Sequence, residues 1–155
     1  MHPGDRAADF TLRDQDGVER HLAALLSHGP VVVFFYPLAG SPGCTAESCH
    51  FRDLAPEFAD LHATRLGISM DTVDRQAAFA RAQHLDYPLL SDPGGAVARA
   101  YGVRRALGLL RVRRVTFVID ADGKIVARFA SERHMGAHAD HALAALRALG
   151  EPSAS

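Results

Sequence analysis

The five residues Val31-Val-Val-Phe-Phe35 constrain the fold most, because they form an apolar run with no polar alternation. A strand with one face in water would alternate apolar and polar side chains, whereas a strand covered on both faces does not. The run therefore predicts a central strand in a sheet that has helices on both sides. This layered arrangement defines the α/β class.

Strand and helix patterns alternate along the rest of the chain. Asp16-Gly17 predicts an N-terminal hairpin, and Asp120-Ala-Asp-Gly123 predicts a second one. Helices are expected over 22–27, 44–61 with a break at Pro56, 73–84, from Asp92 to about Gly102, and 136–149. We therefore expect a mixed central sheet flanked by helices, in one domain over 1–150, with a flexible tail over 151–155.

The helix over 73–84 carries two finer predictions. Asp71 precedes it and is a typical N-cap residue, so we expect its carboxylate to bind the first free backbone amides. The apolar positions that would face the core are Ala77, Ala78, Phe79 and Ala82.

Composition excludes several functional classes. The net charge of −1 over 155 residues gives no bulk attraction to nucleic acid or to an anionic membrane. No apolar run approaches the ~20 residues of a membrane span.

The first residues lack the apolar region of a secretory signal, so we expect a cytoplasmic location. In that reducing compartment, two cysteines are more often catalytic, redox-sensing or metal-binding than structural.

Both cysteines, Cys44 and Cys49, follow the apolar run across a turn rich in proline and glycine. We expect a helix to open at or beside Cys44, where unpaired amides and the helix dipole stabilise a thiolate. Five helical residues would separate the two thiols by about 7.5 Å along the axis and roughly 140° around it. A disulfide needs closer Cα atoms. Pairing would therefore require the first turns to unwind, and the segment predicts a redox site.

Other residues near Cys44 have the chemistry that such a site needs. The hydroxyl of Ser41 can donate and accept a hydrogen bond. Pro37 can line the site without adding a backbone hydrogen-bond donor. A thiolate also needs a permanent cation, and three arginines are candidates. Strand alternation places Arg114 on one face of the strand, and Arg111 and Arg113 on the opposite face. Alternation alone does not show which of the three arginines approaches Cys44.

The cysteine segment resembles a known family. Pro37-x-x-x-Ser41-x-x-Cys44 is similar to the active-site signature of peroxiredoxins, in which serine is an accepted variant of threonine. Cys44-Thr-x-Glu-x-Cys49, followed by Phe51-Arg-Asp53, resembles the Q-type (bacterioferritin-comigratory) peroxiredoxins. Matches continue along nearly the whole chain, as in Arg114-x-Thr-Phe-Val-Ile-Asp120.

The resemblance implies a thioredoxin-like fold and a thiol peroxidase that reduces hydrogen peroxide and organic hydroperoxides. It implies no metal, flavin or haem, a monomeric chain, and thioredoxin or glutaredoxin as the reductant. It also implies a role for each of six residues: Cys44 as peroxidatic nucleophile, Cys49 as resolving cysteine, Arg114 as active-site arginine, Ser41 as holder of the peroxide oxygen, Pro37 as shield, and Glu47 as the residue that orients the arginine.

Other interpretations remain open at this point. The chain could be a redox sensor that stops after one disulfide, or a thiol–disulfide oxidoreductase, although the latter normally has a C-x-x-C pair. Glu47 could serve only the helix dipole if it lies in the first turn. Metal binding by two further clusters is a less favoured interpretation. They are His134 with His138 and His141, and Cys44 with Cys49 and His50.

Overall fold

The computed structural model describes residues 1–106 and 112–150. Within these residues the chain forms one mixed sheet and six helices. The strands are β1 Thr11–Arg13, β2 Glu19–His21, β3 Val31–Phe35, β4 Thr64–Ser69, β5 Leu89–Ser91, β6 Val115–Ile119 and β7 Ile125–Ala130. The helices are α1 Leu22–Leu26, α2 Pro42–Asp53, α3 Ala55–Asp60, α4 Val73–Gln83, α5 Ala96–Ala100 and α6 Met135–Gly150.

The seven strands lie in the order β2-β1-β5-β4-β3-β6-β7. Strand β3 pairs parallel with β4 and antiparallel with β6, and β4 pairs parallel with β5. Every residue of β3 has 0% of its surface exposed, so the prediction of a strand covered on both faces is confirmed. The mixed sheet, its flanking helices and the N-terminal hairpin of β1 and β2 are likewise as predicted.

Two hydrophobic cores cover the two faces of the sheet. One contains Phe35 and Phe117, and the other contains Phe34, Phe51 and Phe58. The rings of Phe34 and Phe51 stack with their centroids 4.2 Å apart, which joins β3 directly to α2. Burying one such side chain stabilises the fold by roughly 2 kcal/mol. The second core thus seats the helix that carries both cysteines.

Several helix boundaries match the sequence pattern. The expected break at Pro56 is confirmed, since α2 ends at Asp53 and α3 begins at Ala55. Helix α5 begins at Ala96, four residues later than expected. Asp92 lies before the helix, and its carboxylate accepts hydrogen bonds from the backbone amides of Val97 and Ala98 in the first turn. The predicted tail over 151–155 lies outside the described residues. None of the helices in the described ranges is long and apolar enough to cross a membrane.

Two predictions for α4 are wrong. Thr72, and not Asp71, caps the helix, since its hydroxyl accepts a hydrogen bond from the Arg75 amide. The Asp71 carboxylate is buried and accepts hydrogen bonds from the Ala39 amide, at 2.8 Å, and from the Ser69 hydroxyl, at 2.7 Å. It therefore ties the loop before α2 to the end of β4.

The buried face of α4 also differs from the predicted one. Phe79 is buried as expected, but Ala78 and Ala82 are exposed. Gln76 and Ala80 face the interior instead. The Gln76 amide is satisfied there, because it donates to the Leu90 carbonyl and to the Ser69 hydroxyl. A polar residue that the pattern did not place on the buried face is therefore accommodated in the interior.

Candidate active site

Cys44 is the third residue of α2, because the helix begins at Pro42, two residues before the cysteine. Ser41 is the N-cap: its hydroxyl accepts a hydrogen bond from the Cys44 amide at 3.4 Å and donates to the Leu38 carbonyl at 3.0 Å. Proline suits the first helical position, where an N–H would be unpaired in any case. The buried Cys44 thiol therefore lies in the first turn, at the positive end of the helix.

Arg114 is the arginine that reaches Cys44. Its side chain is buried, and Nη2 lies 3.2 Å from the Cys44 sulfur. Arg113 is exposed, and Arg111 lies outside the described residues. Burial lowers the pKa of Arg114, but the charge interactions and hydrogen bonds with Glu47 and Cys44 raise it more, so the net shift is upward and the guanidinium is a permanent cation. Of the two candidates that the structure describes, geometry therefore favours Arg114 over Arg113.

Glu47 lies beside the same guanidinium. Its Oε1 accepts a hydrogen bond from Nη1 of Arg114 at 3.0 Å, and its side chain is fully buried. It sits in the second turn of α2, since the first turn contains no acidic residue, so dipole complementarity does not explain it. Burial raises the pKa of Glu47 to about 8, although Arg114 opposes this shift. A neutral carboxyl group is therefore favoured near neutral pH.

His138 of α6 lies beside Glu47, although the sequence suggested it only as part of a metal cluster that was not favoured. Its Nε2 lies 2.8 Å from the Ser131 carbonyl and its Nδ1 lies 2.8 Å from the Thr116 hydroxyl. Nδ1 is also 3.5 Å from Oε2 of Glu47. Burial lowers the pKa of His138 to about 4, so the ring is neutral. The contact depends on how α6 packs against β6, and no local pattern reveals it.

The other histidines considered for a metal site do not gather around His138. His141 stacks on Phe129 with ring centroids 4.0 Å apart, and His134 is exposed before α6. His50 pairs with Asp140. Among residues 1–106 and 112–150, no three His, Cys, Asp or Glu side chains are arranged to hold a metal ion.

Cys49 lies on another side of α2. It is half-buried, and its sulfur lies 3.5 Å from the side-chain oxygen of Gln83 on α4. Both thiols are free, and a continuous helix runs through both. The structure therefore does not bring Cys44 and Cys49 together. Pro37 is half-buried in the loop between β3 and α2, and its shielding role stays a prediction.

The two halves of α2 are held unequally. In the second half, the Ser48 carbonyl accepts a hydrogen bond from the Tyr87 hydroxyl at 2.7 Å, and the Phe51 carbonyl accepts one from Arg65 at 2.8 Å. Arg52 adds a bond to the Gln83 carbonyl at 2.6 Å. The first half is held by the Ser41 cap and by the contacts of Arg114.

The fold and site define a class: a thioredoxin-like α/β protein with a buried thiol at a helix N-terminus beside a buried arginine. Residues 3–128 match the model of the AhpC/TSA family. The chain belongs to this family, the peroxiredoxins, which are thiol-dependent peroxidases.

Three relatives illustrate the match. The crystal structure of peroxidoxin BcpB from Mycobacterium tuberculosis is 58% identical and has a TM-score of 0.92, over 96% of this chain and 98% of that one. The bacterioferritin comigratory protein of Xanthomonas campestris, studied for alkyl peroxide reduction, is 33% identical with a TM-score of 0.84 and 92% of each chain covered. Chloroplastic peroxiredoxin Q of Populus jackii is 35% identical over 149 residues, which are 96% of this chain and 70% of that protein.

Proposed function

We propose that Cys44 is the peroxidatic nucleophile of a peroxidase that reduces hydrogen peroxide and organic hydroperoxides. One observation carries this assignment: the Cys44 sulfur lies in the first turn of α2, 3.2 Å from Nη2 of Arg114. A helix N-terminus and a fixed cation both favour the thiolate over the thiol. The bacterioferritin comigratory protein studied for alkyl peroxide reduction supports organic hydroperoxides as substrates.

In the proposed reaction, the Cys44 thiolate attacks the terminal oxygen of RO–OH. The O–O bond breaks, its electron pair leaves with RO⁻, and the protonated product is ROH, while Cys44 becomes a sulfenic acid. Arg114 supports the charge on both sulfur and departing oxygen, Glu47 fixes the guanidinium, and the Ser41 hydroxyl holds a peroxide oxygen. Pro37 shields the site from water.

Resolution by Cys49 is the second half of the proposal. The first turns of α2 unwind, the Cys49 thiolate attacks the Cys44 sulfenic sulfur, and water leaves as the disulfide forms. An external dithiol, thioredoxin or glutaredoxin, then reduces the disulfide to two thiols. The unequal hydrogen bonding of α2 favours this route, since the side-chain bonds to its carbonyls that the structure describes lie in its second half, at Ser48 and Phe51.

Peroxide consumption by the wild type, Cys44→Ser and Cys49→Ser, with a dithiol reductant in excess, tests the assignment. We expect Cys44→Ser to abolish turnover and Cys49→Ser to react once, then to depend on a small external thiol. Gln83→Ala, which removes the neighbour of Cys49 and keeps both thiols, is the control and should still form the disulfide. Full activity in Cys44→Ser would refute the proposal, and a wild type that stops after one disulfide would identify a sensor instead.

A further inference from the structure

Two acids share one cation at this site. Arg114 donates from Nη1 to Glu47 at 3.0 Å and from Nη2 to Cys44 at 3.2 Å, and all three side chains are buried. If Glu47 and Cys44 were both ionised, one guanidinium would face two anions in a region of low dielectric. Such a buried excess charge is costly, and the usual response is that one group keeps its proton.

His138 indicates which acid keeps the proton. Its Nε2 must carry a hydrogen atom, because its partner, the Ser131 carbonyl, can only accept. In the neutral ring, Nδ1 is then an acceptor, and it lies 3.5 Å from Oε2 of Glu47. Within the part of the chain that the structure describes, Oε2 has no hydrogen-bond partner. Nδ1 already accepts a hydrogen bond from the Thr116 hydroxyl at 2.8 Å, so the ring offers Oε2 no proton. A buried carboxylate oxygen without a donor is costlier than the neutral acid, which favours the proton on Glu47.

We propose that Glu47 is the proton reservoir of peroxide reduction: it holds a proton while Cys44 is a thiolate and releases it when Cys44 is oxidised. This inference rests on the proposed function of Cys44. Oxidation turns the thiolate into a neutral sulfenic acid, so Arg114 loses one of its two partners. The Glu47 carboxylate then replaces it, and the released proton balances the alkoxide RO⁻, which becomes ROH.

The buried charge stays constant in this scheme. Before oxidation the thiolate balances Arg114 and Glu47 is neutral; afterwards the Glu47 carboxylate balances Arg114 and Cys44 is neutral. The raised pKa of Glu47, about 8, and the lowered pKa of His138, about 4, agree with a proton that resides on the carboxyl group. Glu132 also approaches Arg114: it is exposed, lies 4.0 Å from Nε of Arg114, and is paired with Arg105 at 2.9 Å. Arg113 and Arg128 line the same pocket as Arg114.

Proton uptake measures this directly. The Cys49→Ser variant would be mixed with one equivalent of peroxide in weakly buffered solution containing a pH indicator, so that only the sulfenic acid step is followed. We expect almost no net uptake per oxidised Cys44 in this parent, and about one proton in the Glu47→Gln derivative, because glutamine has no proton to release. The matched control, Glu19→Gln on exposed β2, should behave as the parent does.

The outcomes separate the two proposals. If Cys44 is not oxidised at all, the proposed function fails. If it is oxidised but the parent takes up a full proton, or if Glu47→Gln takes up none, the reservoir is refuted. Should Glu47→Gln not fold, infrared difference spectroscopy of the parent decides: a carbonyl band of a protonated carboxyl group must disappear on oxidation, and its persistence would overturn the inference.

Discussion

Replacing Arg114 by methionine tests the electrostatics of the site most directly, because it keeps an unbranched stem and removes the charge. At the observed 3.2 Å, two unit charges interact by about 5 kcal/mol at an effective dielectric constant of 20. Measured hydrogen bonds to charged groups contribute less, about 1.5–3 kcal/mol. The range of about 1.5–3 kcal/mol applies to Arg114→Met, because the amides at the start of α2 still stabilise the Cys44 thiolate when the arginine is gone. A loss of about 2 kcal/mol lowers the thiolate population roughly 30-fold where the thiol form predominates.

The global fold should tolerate this change better than the loss of an ordinary buried ion pair. Breaking such a pair costs about 3–5 kcal/mol when the remaining charge stays buried. Glu47 does not incur this cost, because its pKa, raised to about 8 by burial, keeps it a neutral acid near neutral pH. We therefore expect Arg114→Met to lose reactivity much more than thermal stability.

Alkylation of Cys44 by iodoacetamide across a pH range, in a Cys49→Ser background, measures the thiolate population, and thiolate absorbance provides a second readout. Arg114→Lys should lie between the parent and Arg114→Met, since it keeps the charge and loses the two-pronged geometry. Arg113→Met is the matched control, because Arg113 is exposed. An unchanged profile in Arg114→Met, with a loss in Arg113→Met, would refute the reasoning.

Three further predictions follow from single contacts. Stability should change little between pH 6.5 and 8 in the wild type, because folding adds a proton to Glu47, whose pKa is about 8 when folded and near 4.5 when unfolded, and removes one from Cys44, the proposed thiolate. Glu47→Gln keeps only the second change, so its stability should rise by about 2 kcal/mol over this range, while the contribution of His138 lies between pH 4 and 6.5. Gly43→Ala would place a Cβ 3.2 Å from Nη2 of Arg114 and should slow Cys44 alkylation about tenfold without lowering thermal stability. Tyr87→Phe removes a buried hydrogen bond worth about 1 kcal/mol from α2 and should speed disulfide formation about fivefold.

Each of these predictions has its own assay. Denaturant unfolding at several pH values tests the titration of Glu47, and alkylation kinetics with thermal melts test Gly43→Ala. Quenched-flow counting of free thiols tests Tyr87→Phe. A stability profile of Glu47→Gln that stays as flat as that of the wild type would show that Glu47 does not hold the proton. Unchanged alkylation in Gly43→Ala would show that the guanidinium has room to move. An unchanged disulfide rate in Tyr87→Phe would mean that unwinding does not reach the turn that Tyr87 holds.

The sheet could be predicted from the sequence, because its signals are local. The apolar run of β3 and the Asp-Gly turns of both hairpins depend on a few adjacent residues, and the break at Pro56 follows from one missing backbone donor. The wrong predictions concern polar residues with distant partners. Asp71 bonds the Ala39 amide, 32 positions away, and Gln76 bonds the Leu90 carbonyl, so neither follows the local rule for its position.

The candidate site divides in the same way. Cys44 and the cap at Ser41 belong to one turn, and their arrangement was predictable from spacing. Arg114 approaches Cys44 across 70 positions and was distinguished from its neighbours by the resemblance to the family, not by alternation. His138 approaches Thr116 only because α6 packs on β6, and no pattern of adjacent residues encodes that contact.

The uneven anchoring of α2 sets how far each catalytic cycle can disturb the molecule. A disulfide would break the Ser41 cap, the bond from Arg114 to sulfur and the bond from Tyr87 to the Ser48 carbonyl, while the stacked ring of Phe51 and the bond from Arg65 to its carbonyl stay in place. Cys44 is then the moving partner and Cys49 the stationary one. The oxidised chain would keep its hydrophobic core packed. It would expose the unwound first turns of α2 to a reductant, which could recognise the oxidised form by that loop.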